Sequence, residues 1–271
     1  MPGKVHIVGA GPGAVDLLTV RAMAVIRSAG VVLHDDLVSA EVVALAPESA
    51  EIINVGKRCG NRAMTQEKIN ALMIWHARNG SQVVRLKSGD PAIFGRMGEE
   101  IDKLRRAGIP FEVVPGITAV SAAASAVGIS LTDRRAASTL VVATAHVCGP
   151  QSHGLGHHGA GAPERTTFAV YMPGPDYSRT AQQLIRSGLN ASTPCVLVSN
   201  ASRSAQQVCH LTLADLPFAL GIAPPAVLIV GEVTRERQHE AEVQVANRFL
   251  EENHEPIANR NQNSPHQRAG A

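Results

Sequence analysis

Three glycines near the start of the chain have the spacing of a ligand-binding loop. Gly9, Gly11 and Gly13 follow the largely apolar run VHIV at 5–8, which is typical of a buried strand. Because glycine has no Cβ atom, the backbone at these positions can turn sharply and approach a ligand closely. Loops that bind adenosine-containing cofactors need this property, so the sequence predicts a site for such a cofactor at the end of the first strand.

The glycine spacing leaves two cofactor classes open. The motif G-x-G-x-x-A at 9–14 also satisfies the dinucleotide fingerprint of FAD and NAD domains. In a dinucleotide site the helix begins within the glycine turn, under the pyrophosphate. Here Asp16 and Thr19 are better N-caps for a helix over 20–28, and an aspartate beside the loop disfavours a diphosphate. We keep a dinucleotide-binding α/β protein as the less favoured alternative.

The elements that must position this loop alternate between strands and helices. Short apolar runs predict strands near 5–8, 31–33, 52–55, 83–86 and 111–114, separated by helices that include 65–79 and 97–107. This alternation is typical of a mainly parallel sheet covered by helices on both faces. Ligands of such sheets lie beyond the carboxyl ends of the strands, where the glycine loop, Asp35 and residues 88–90 fall.

A second set of elements follows Pro115 and Gly116. The small-residue helix 119–127 is typical of a packed connector, and strands follow at 139–144, 167–171, 195–199 and 226–230, with a helix at 178–187. We therefore predict an α/β protein with an N-terminal domain over 1–115 and a C-terminal domain over 116–233. The polar segment 234–271 is predicted to be a largely disordered tail.

Composition excludes several classes of partner. The 271 residues carry a formal net charge of only +2 and 3% aromatic residues, which argues against nucleic-acid binding. No apolar run reaches the roughly 18 residues of a membrane span, and no signal peptide precedes the first strand. We predict a cytoplasmic protein with no membrane partner. The four cysteines form no C-x-x-C pair, and we assign them no role.

A histidine-rich segment raises the question of a metal. His153, His157 and His158 lie among glycines at 149–163, and clustered histidines can bind metal ions. No cysteine or carboxylate stands at ligand spacing beside them. We favour a flexible loop and predict no metal site.

Seven stretches in the chain carry a family resemblance. The first four are HDDLVS at 34–39, VGKR at 55–58, LKSGDPAIFGRMGEE at 86–100 and VVPGITA at 113–119. The others are TAH at 144–146, VYM at 170–172 and SNAS at 199–202. In this order they resemble the motifs of the uroporphyrinogen-III C-methyltransferases, within the tetrapyrrole methylase family. The similarity extends from about residue 4 to residue 233.

The resemblance implies a fold, a reaction and its participants. The fold is two unequal α/β domains with a cofactor cleft between them. The reaction methylates carbons 2 and 7 of uroporphyrinogen III to give precorrin-2, for siroheme or cobalamin, with S-adenosylmethionine as donor and S-adenosylhomocysteine as product. A homodimer is also implied. Since the first strand begins at Lys4, we expect methylation alone, without the dehydrogenase and ferrochelatase module that some siroheme synthases carry in front.

The resemblance also assigns roles to residues. After methyl attack by a pyrrole carbon the product must lose a proton, which requires a base. That base is Asp35 by resemblance, and Lys57 is the partner acid or a carboxylate-binding cation. The implied cofactor contacts are Pro12, Ser88, Gly89, Asp90, Ile93, Thr118, Ala119, Met172 and Ala201. Small residues there admit close backbone contact, and Ile93 and Met172 offer apolar contact.

Basic residues near the motifs suggest how the substrate's eight carboxylates are bound. They are predicted to form an anion-binding rim that includes Lys57, Arg58, Arg62, Lys87, Arg96, Arg134 and Arg135.

The chain departs from the common family pattern at Ser88, where glycine is usual, at His34, where tyrosine is usual, and after Met172, where Pro173-Gly174 replaces a leading glycine. Asp36 stands where arginine is frequent and removes one candidate carboxylate ligand. A related cobalamin-pathway precorrin methyltransferase is the alternative function, and residues 35–39 argue against it.

Overall fold

Strands and helices alternate along the chain and build two sheets in succession. The computed structural model describes residues 3–56, 64–145, 165–174, 177–219 and 221–235. The first sheet contains β1 (Val5–Gly9), β2 (Val31–His34), β3 (Glu51–Asn54), β4 (Val83–Lys87) and β5 (Phe111–Val114). Its helices are α1 (Val20–Arg27), α2 (Ala40–Val43), α3 (Gln66–Arg78) and α4 (Met97–Arg106).

Every pairing in the first sheet is parallel, and the strand order is β3-β2-β4-β1-β5. Side chains of successive residues point to opposite faces of a strand, so β4 contributes to two cores. Val84 and Leu86 pack in the core that contains α1, and Val83 packs in the core that contains α3. The sheet is thus covered on both faces, which confirms the fold class predicted from the alternation.

Side-chain caps fix where two of the helices begin. The Thr19 hydroxyl accepts a hydrogen bond from the amide of Ala22, and α1 starts at the next residue. The Thr65 hydroxyl caps α3 in the same way by accepting from the amide of Lys68. Satisfying these otherwise unpaired N–H groups stabilises a helix end. Because α1 begins beyond the glycine turn, the first loop lacks the helix start expected of a dinucleotide site.

The second sheet is mixed rather than parallel. It contains β6 (Thr139–Thr144), β7 (Thr166–Tyr171), β8 (Pro194–Ser199), β9 (Gln207–Thr212) and β10 (Ala226–Val230), in the order β6-β7-β10-β8-β9. Only the β6–β7 pairing is parallel among the described strands of this sheet. Its helices are α5 (Ala119–Ala126) and α6 (Tyr177–Arg186). The buried alanines of α5 pack on residues of β7, β8 and β10, as expected of a packed connector.

Three further short helices of the 3-10 type are described, at Val15–Leu17, Leu216–Phe218 and Glu232–Thr234. In the part of the chain with described coordinates, no helix has the length and apolarity needed to cross a membrane.

A carboxylate on the edge strand β5 gives the fold a pH dependence. Glu112 accepts hydrogen bonds from Lys4 Nζ at 2.6 Å and Arg21 Nε at 2.8 Å. Lys4 first and Arg21 second lower the pKa of Glu112 from 4.5 to about 2. Because the pKa is lower in the folded state, these ion pairs stabilise the fold above pH 4.5, and this stabilisation is lost as the pH falls towards 2.

We therefore expect Glu112→Gln to melt at a slightly lower temperature than the parent protein at pH 7, since the paired side chains are partly exposed. The difference between the two melting temperatures should shrink as the pH is lowered from 4.5 towards 2. Thermal denaturation of both proteins over this pH series measures it. A difference that stays constant would show that Glu112 does not stabilise the fold through its charge.

Candidate active site at the edge of the first sheet

The loops that follow β1 and β4 are joined by a pair of backbone hydrogen bonds. The amide of Gly89 donates to the carbonyl of Gly11 at 2.7 Å, and the amide of Gly11 donates back to the carbonyl of Gly89 at 3.2 Å. Both glycines have φ angles near +68°, since Gly11 is at +67° and Gly89 at +69°. Residues with side chains rarely adopt such angles, which explains glycine at both positions.

A third loop, after β5, closes on the other two. Asp90 Oδ2 accepts from the amide of Gly116 at 3.0 Å, and Asp90 Oδ1 accepts from the amide of Ala92 at 2.8 Å. A Cβ atom on Gly9 would lie only 2.6 Å from the nitrogen of Gly116, so these two backbones approach each other too closely for a side chain. The three loops therefore meet at the carboxyl ends of β1, β4 and β5.

Tyr171, the last residue of β7, connects these loops to the second sheet. Its hydroxyl is hydrogen-bonded to the Thr118 hydroxyl and accepts from the amide of Val120 at 3.1 Å, at the start of α5. Its ring lies 5.2 Å from the ring of Phe94, between centroids. The next residue, Met172, has a φ of 49° and a half-exposed side chain, so its side chain does not pack in the hydrophobic core.

The loop after β8 contacts the glycine loop directly. Arg203 Nε donates to the carbonyl of Pro12 at 3.1 Å, and a terminal nitrogen of Arg203 donates to the carbonyl of Leu37. The amide of Ala14 donates to the Ser202 hydroxyl at 3.3 Å. These contacts place the loop that carries Ala201 beside the first turn of the chain.

All nine predicted cofactor residues lie on these contacting loops or, for Ala119, at the first residue of the helix that follows one of them. Pro12 is on the first loop, and Ser88 to Asp90 and Ile93 are on the second. Thr118 ends the third loop, and Ala119 begins α5 directly after it. Met172 and Ala201 are on the two loops of the second sheet. The position of a Cβ on Gly89 is 3.9 Å from the amide nitrogen of Ala119. The structure brings the positions together, and cofactor binding by them stays a prediction.

The predicted base, Asp35, lies directly after β2 and is held from inside the sheet. Its Oδ1 accepts from a terminal nitrogen of Arg85 at 2.5 Å, and its amide donates to the carbonyl of Leu86 at 3.2 Å. Its side chain is 32% exposed, whereas that of Arg85 is 2% exposed. Asp35 therefore presents a carboxylate at the sheet edge while a buried cation fixes one of its oxygens.

The structure corrects the predicted anion-binding rim at Lys87. This side chain is buried, and its Nζ donates to Glu100 Oε1 at 2.9 Å. Burial, and next the nearby charge of Arg85, lower the pKa of Lys87. Because the strand alternation turns residue 87 into the core, Lys87 cannot serve as a surface ligand. Arg96 pairs with Glu99 through two contacts of 2.7 Å.

Other predicted residues are placed differently or not at all. Asp36 Oδ1 accepts from the side-chain amide of Asn54 at 2.9 Å, so Asp36 is engaged with β3. The predicted acid Lys57 and the neighbouring arginines 58 and 62 lie outside the described residues. The histidine-rich segment and the part of the predicted tail beyond residue 235 also lie outside them. Among the residues that are described, no group of three or more histidine, cysteine, aspartate or glutamate side chains could hold a metal ion.

Sequence reasoning assigned no role to four residues that build this site. They are Arg85, Glu100, Tyr171 and Arg203. A charged residue inside the apolar strand β4 is the signal that could have revealed Arg85, because an arginine is almost never fully buried unless it is paired. The partners of Tyr171 and Arg203 are distant in sequence, and no local pattern indicates them.

Comparison with known proteins decides the family. A model of the tetrapyrrole (corrin/porphyrin) methylases matches residues 4–217 of the chain. The chain belongs to the tetrapyrrole methylase family. The resemblance inferred from the motifs is therefore confirmed, and the dinucleotide-binding alternative is wrong.

A curated relative of this methylase is longer than the chain itself. The chain is 46% identical over 232 residues to siroheme synthase 1 of Yersinia pseudotuberculosis serotype I (strain IP32953). The match covers 85% of this chain and 49% of the synthase. The methylase thus spans about half the length of the curated relatives that it matches.

Solved methylase structures share the fold over almost their whole length. The uroporphyrin-III C-methyl transferase of Thermus thermophilus, complexed with S-adenyl homocysteine, is 38% identical with a TM-score of 0.75, covering 86% of this chain and 99% of that one. A cobalt precorrin-4 methyltransferase is 30% identical with a TM-score of 0.76, covering 86% and 96%. The agreement confirms the α/β tetrapyrrole methylase fold.

The Arg203 contacts give a prediction for the stability of this methylase. Arg203→Met keeps most of the apolar length of the side chain but removes the hydrogen bonds to Pro12 and Leu37. We expect the free energy of unfolding to fall by about 1–2 kcal/mol, because two backbone carbonyls lose a charged donor. Urea denaturation measures this loss, with Arg106→Met, at an exposed arginine ending α4, as the control. Equal stability of the two variants would mean that Arg203 contributes nothing to loop attachment.

Proposed function

We propose that this methylase transfers methyl groups from S-adenosylmethionine to carbons 2 and 7 of uroporphyrinogen III, giving precorrin-2 and S-adenosylhomocysteine. The observation that carries the proposal is that five loops from both sheets meet at the carboxyl ends of the strands of the first sheet, the same end at which Asp35 follows β2. The similarity to a uroporphyrin-III C-methyl transferase over 99% of that chain supports the choice of substrate. We also propose a homodimer, which light scattering during gel filtration tests.

The loops fit an adenosine-containing methyl donor. The glycines at 9, 11, 89 and 116 let the backbones of the three loops approach one another closely, and the exposed side chains of Ile93 and Met172 offer apolar contact to a ligand. When bound, S-adenosylmethionine supplies a methyl group already activated on a sulfonium. The chain therefore has to orient two reactants in line rather than create an electrophile.

Asp35 completes the reaction in this proposal. A bond forms between the pyrrole carbon and the methyl carbon while the carbon–sulfur bond breaks, and the methylated ring then carries an excess proton. The Asp35 carboxylate accepts that proton at the sheet edge, and solvent removes it before the second methylation. Lys57, the residue after Gly56, is proposed to bind a substrate carboxylate or to act as the partner acid.

A cavity of about 470 Å³ lies between β2, β3 and α2, and its lining includes His34 and Asp36, the two sequence neighbours of Asp35. Its lining includes Asp36 and Glu48, whose negative charges would repel the carboxylates of the macrocycle. We therefore propose that these carboxylates point away from this cavity, towards the residues of the predicted anion-binding rim other than Lys87.

One assay tests the proposed reaction. The purified protein is incubated anaerobically with uroporphyrinogen III and S-adenosylmethionine labelled in the methyl group. Transfer of two labelled methyl groups per macrocycle, with release of S-adenosylhomocysteine, is the expected result. Failure to label uroporphyrinogen III, together with labelling of a methylated precorrin, would favour the second candidate. That candidate is a cobalamin-pathway precorrin methyltransferase, and the similarity to a cobalt precorrin-4 methyltransferase, at 30% identity over 96% of that chain, supports it.

A further inference from the structure

The central strand of the first sheet contains an arginine that is almost completely buried. Arg85 lies in β4 between Val84 and Leu86, and its side chain is 2% exposed. Its position in the strand directs the side chain into the core beneath α3 and α4, while its guanidinium reaches the carboxyl end of β2. A charge in this place needs partners, because an unpaired buried ion is strongly destabilising.

The partners of the guanidinium fix its orientation on two sides. Nε donates to Glu100 Oε1 at 3.0 Å, and one terminal nitrogen donates to Asp35 Oδ1 at 2.5 Å. The other terminal nitrogen donates to the carbonyl of Leu86 at 3.2 Å. Because a guanidinium is planar and presents its donors in a fixed fork, these contacts determine both the position and the tilt of the group.

Glu100 is the anchor of this arrangement. Its side chain is 0% exposed, and its Oε1 also accepts from Lys87 Nζ at 2.9 Å and from the side-chain amide of Gln66 at 3.2 Å. The cluster therefore joins two acidic side chains, Asp35 and Glu100, to two basic side chains, Arg85 and Lys87.

Stability alone does not account for the cluster. Buried ion pairs are often replaceable by well-packed apolar residues with no loss of stability, because the cost of desolvation offsets the attraction. The cluster also extends out of the core, because Arg85 is bonded to Asp35 as well as to Glu100. Among the described ion-paired residues of the cluster, only Asp35 reaches the sheet edge.

We propose that Arg85, anchored by Glu100, is a positioning residue that fixes the Asp35 carboxylate for proton acceptance. This inference rests on the proposed function of Asp35. Arg85 occupies Oδ1, and no hydrogen bond to Oδ2 is formed within the described residues. Oδ2 is therefore the oxygen that accepts the proton, and Arg85 determines where it points.

A double-mutant cycle tests the inference in the full-length protein. Arg85→Lys keeps the buried positive charge but has one nitrogen, which cannot hold Glu100 and Asp35 in the fork geometry. We expect this variant to lower kcat by roughly tenfold to a hundredfold, as a misplaced catalytic group does, with unchanged affinity for S-adenosylhomocysteine in calorimetry. In the Asp35→Asn background the same change should lower kcat by less than about threefold, because the carboxylate that Arg85 positions is already absent.

The controls separate positioning from folding. Arg21→Lys alters an arginine that pairs with Glu112 instead, and should leave kcat unchanged in both backgrounds. Glu100→Gln keeps the size of the anchor and is carried through the same cycle, so that the inference stays testable if Arg85→Lys fails to fold. If Arg85→Lys or Glu100→Gln lowered kcat by the same factor in the parent protein and in the Asp35→Asn background, the positioning role would be overturned and the proposed function would stay intact. An Asp35→Asn variant that retains parental kcat, or a parent protein that does not methylate uroporphyrinogen III, would overturn the proposed function, and the inference with it.

Discussion

Replacing Asp35 by asparagine should lower the turnover number for uroporphyrinogen III by about a hundredfold or more, because the general base is removed. The amide of asparagine has nearly the size of the carboxylate, and its oxygen can still accept the hydrogen bond from Arg85. The five contacting loops do not depend on the charge of Asp35, so the affinity for S-adenosylmethionine should change little. Steady-state kinetics and calorimetry on the two proteins measure both quantities.

The neighbouring Asp36→Asn is the matched control for this substitution. It removes the same charge one residue further along, where the side chain contacts Asn54 on β3 rather than Arg85. We expect a much smaller loss of turnover from it. Equal and small effects of the two substitutions would mean that alignment of the reactants alone drives the transfer and that Asp35 is not the base.

The parallel sheet was predictable because the patterns that indicate its strands and helices involve residues close together in the sequence. Each strand contains a short run of mostly apolar residues, and Thr19 and Thr65 mark helix starts because their hydroxyls accept hydrogen bonds from backbone amides. The second sheet was harder. The strand β9 has mostly exposed or half-exposed residues, and the four-residue helix α2 is too short for a helical period, so neither was predicted.

The site was predictable only in part, for a related reason. The motifs located the glycine loops and Asp35, but they did not indicate which residues hold them. The contact of Arg203 with Pro12 spans 191 positions, and that of Tyr171 with Val120 spans 51. Such contacts depend on how the two sheets are arranged, and single-sequence patterns do not determine that arrangement. Lys87 was predicted wrongly for a different reason, because its motif position suggested a surface ligand although the alternation of side chains along β4 turns it into the core.

Replacing Gly89 by leucine should weaken the binding of S-adenosylmethionine by at least about tenfold, which corresponds to 1.4 kcal/mol. A Cβ at this position would lie 3.9 Å from the amide nitrogen of Ala119 and 4.0 Å from the Cα of Thr118, which are ordinary contact distances. The backbone can therefore tolerate the first carbon of the side chain. The remaining branched carbons would fill the space between the second and third loops, where the proposed cofactor contacts lie.

The left-handed backbone of Gly89 requires a control for strain, because a side chain at φ +69° costs about 1–2 kcal/mol wherever it occurs. Gly108, after α4, has nearly the same angle of +66°, and a Cβ on it would meet no atom within 4 Å. We expect Gly89→Leu and Gly108→Leu to lose similar amounts of stability in urea denaturation, while calorimetry shows reduced affinity only for Gly89→Leu. If both variants bound S-adenosylmethionine with parental affinity, position 89 would lie outside the cofactor site, and the proposed meeting of the loops around the methyl donor would be wrong.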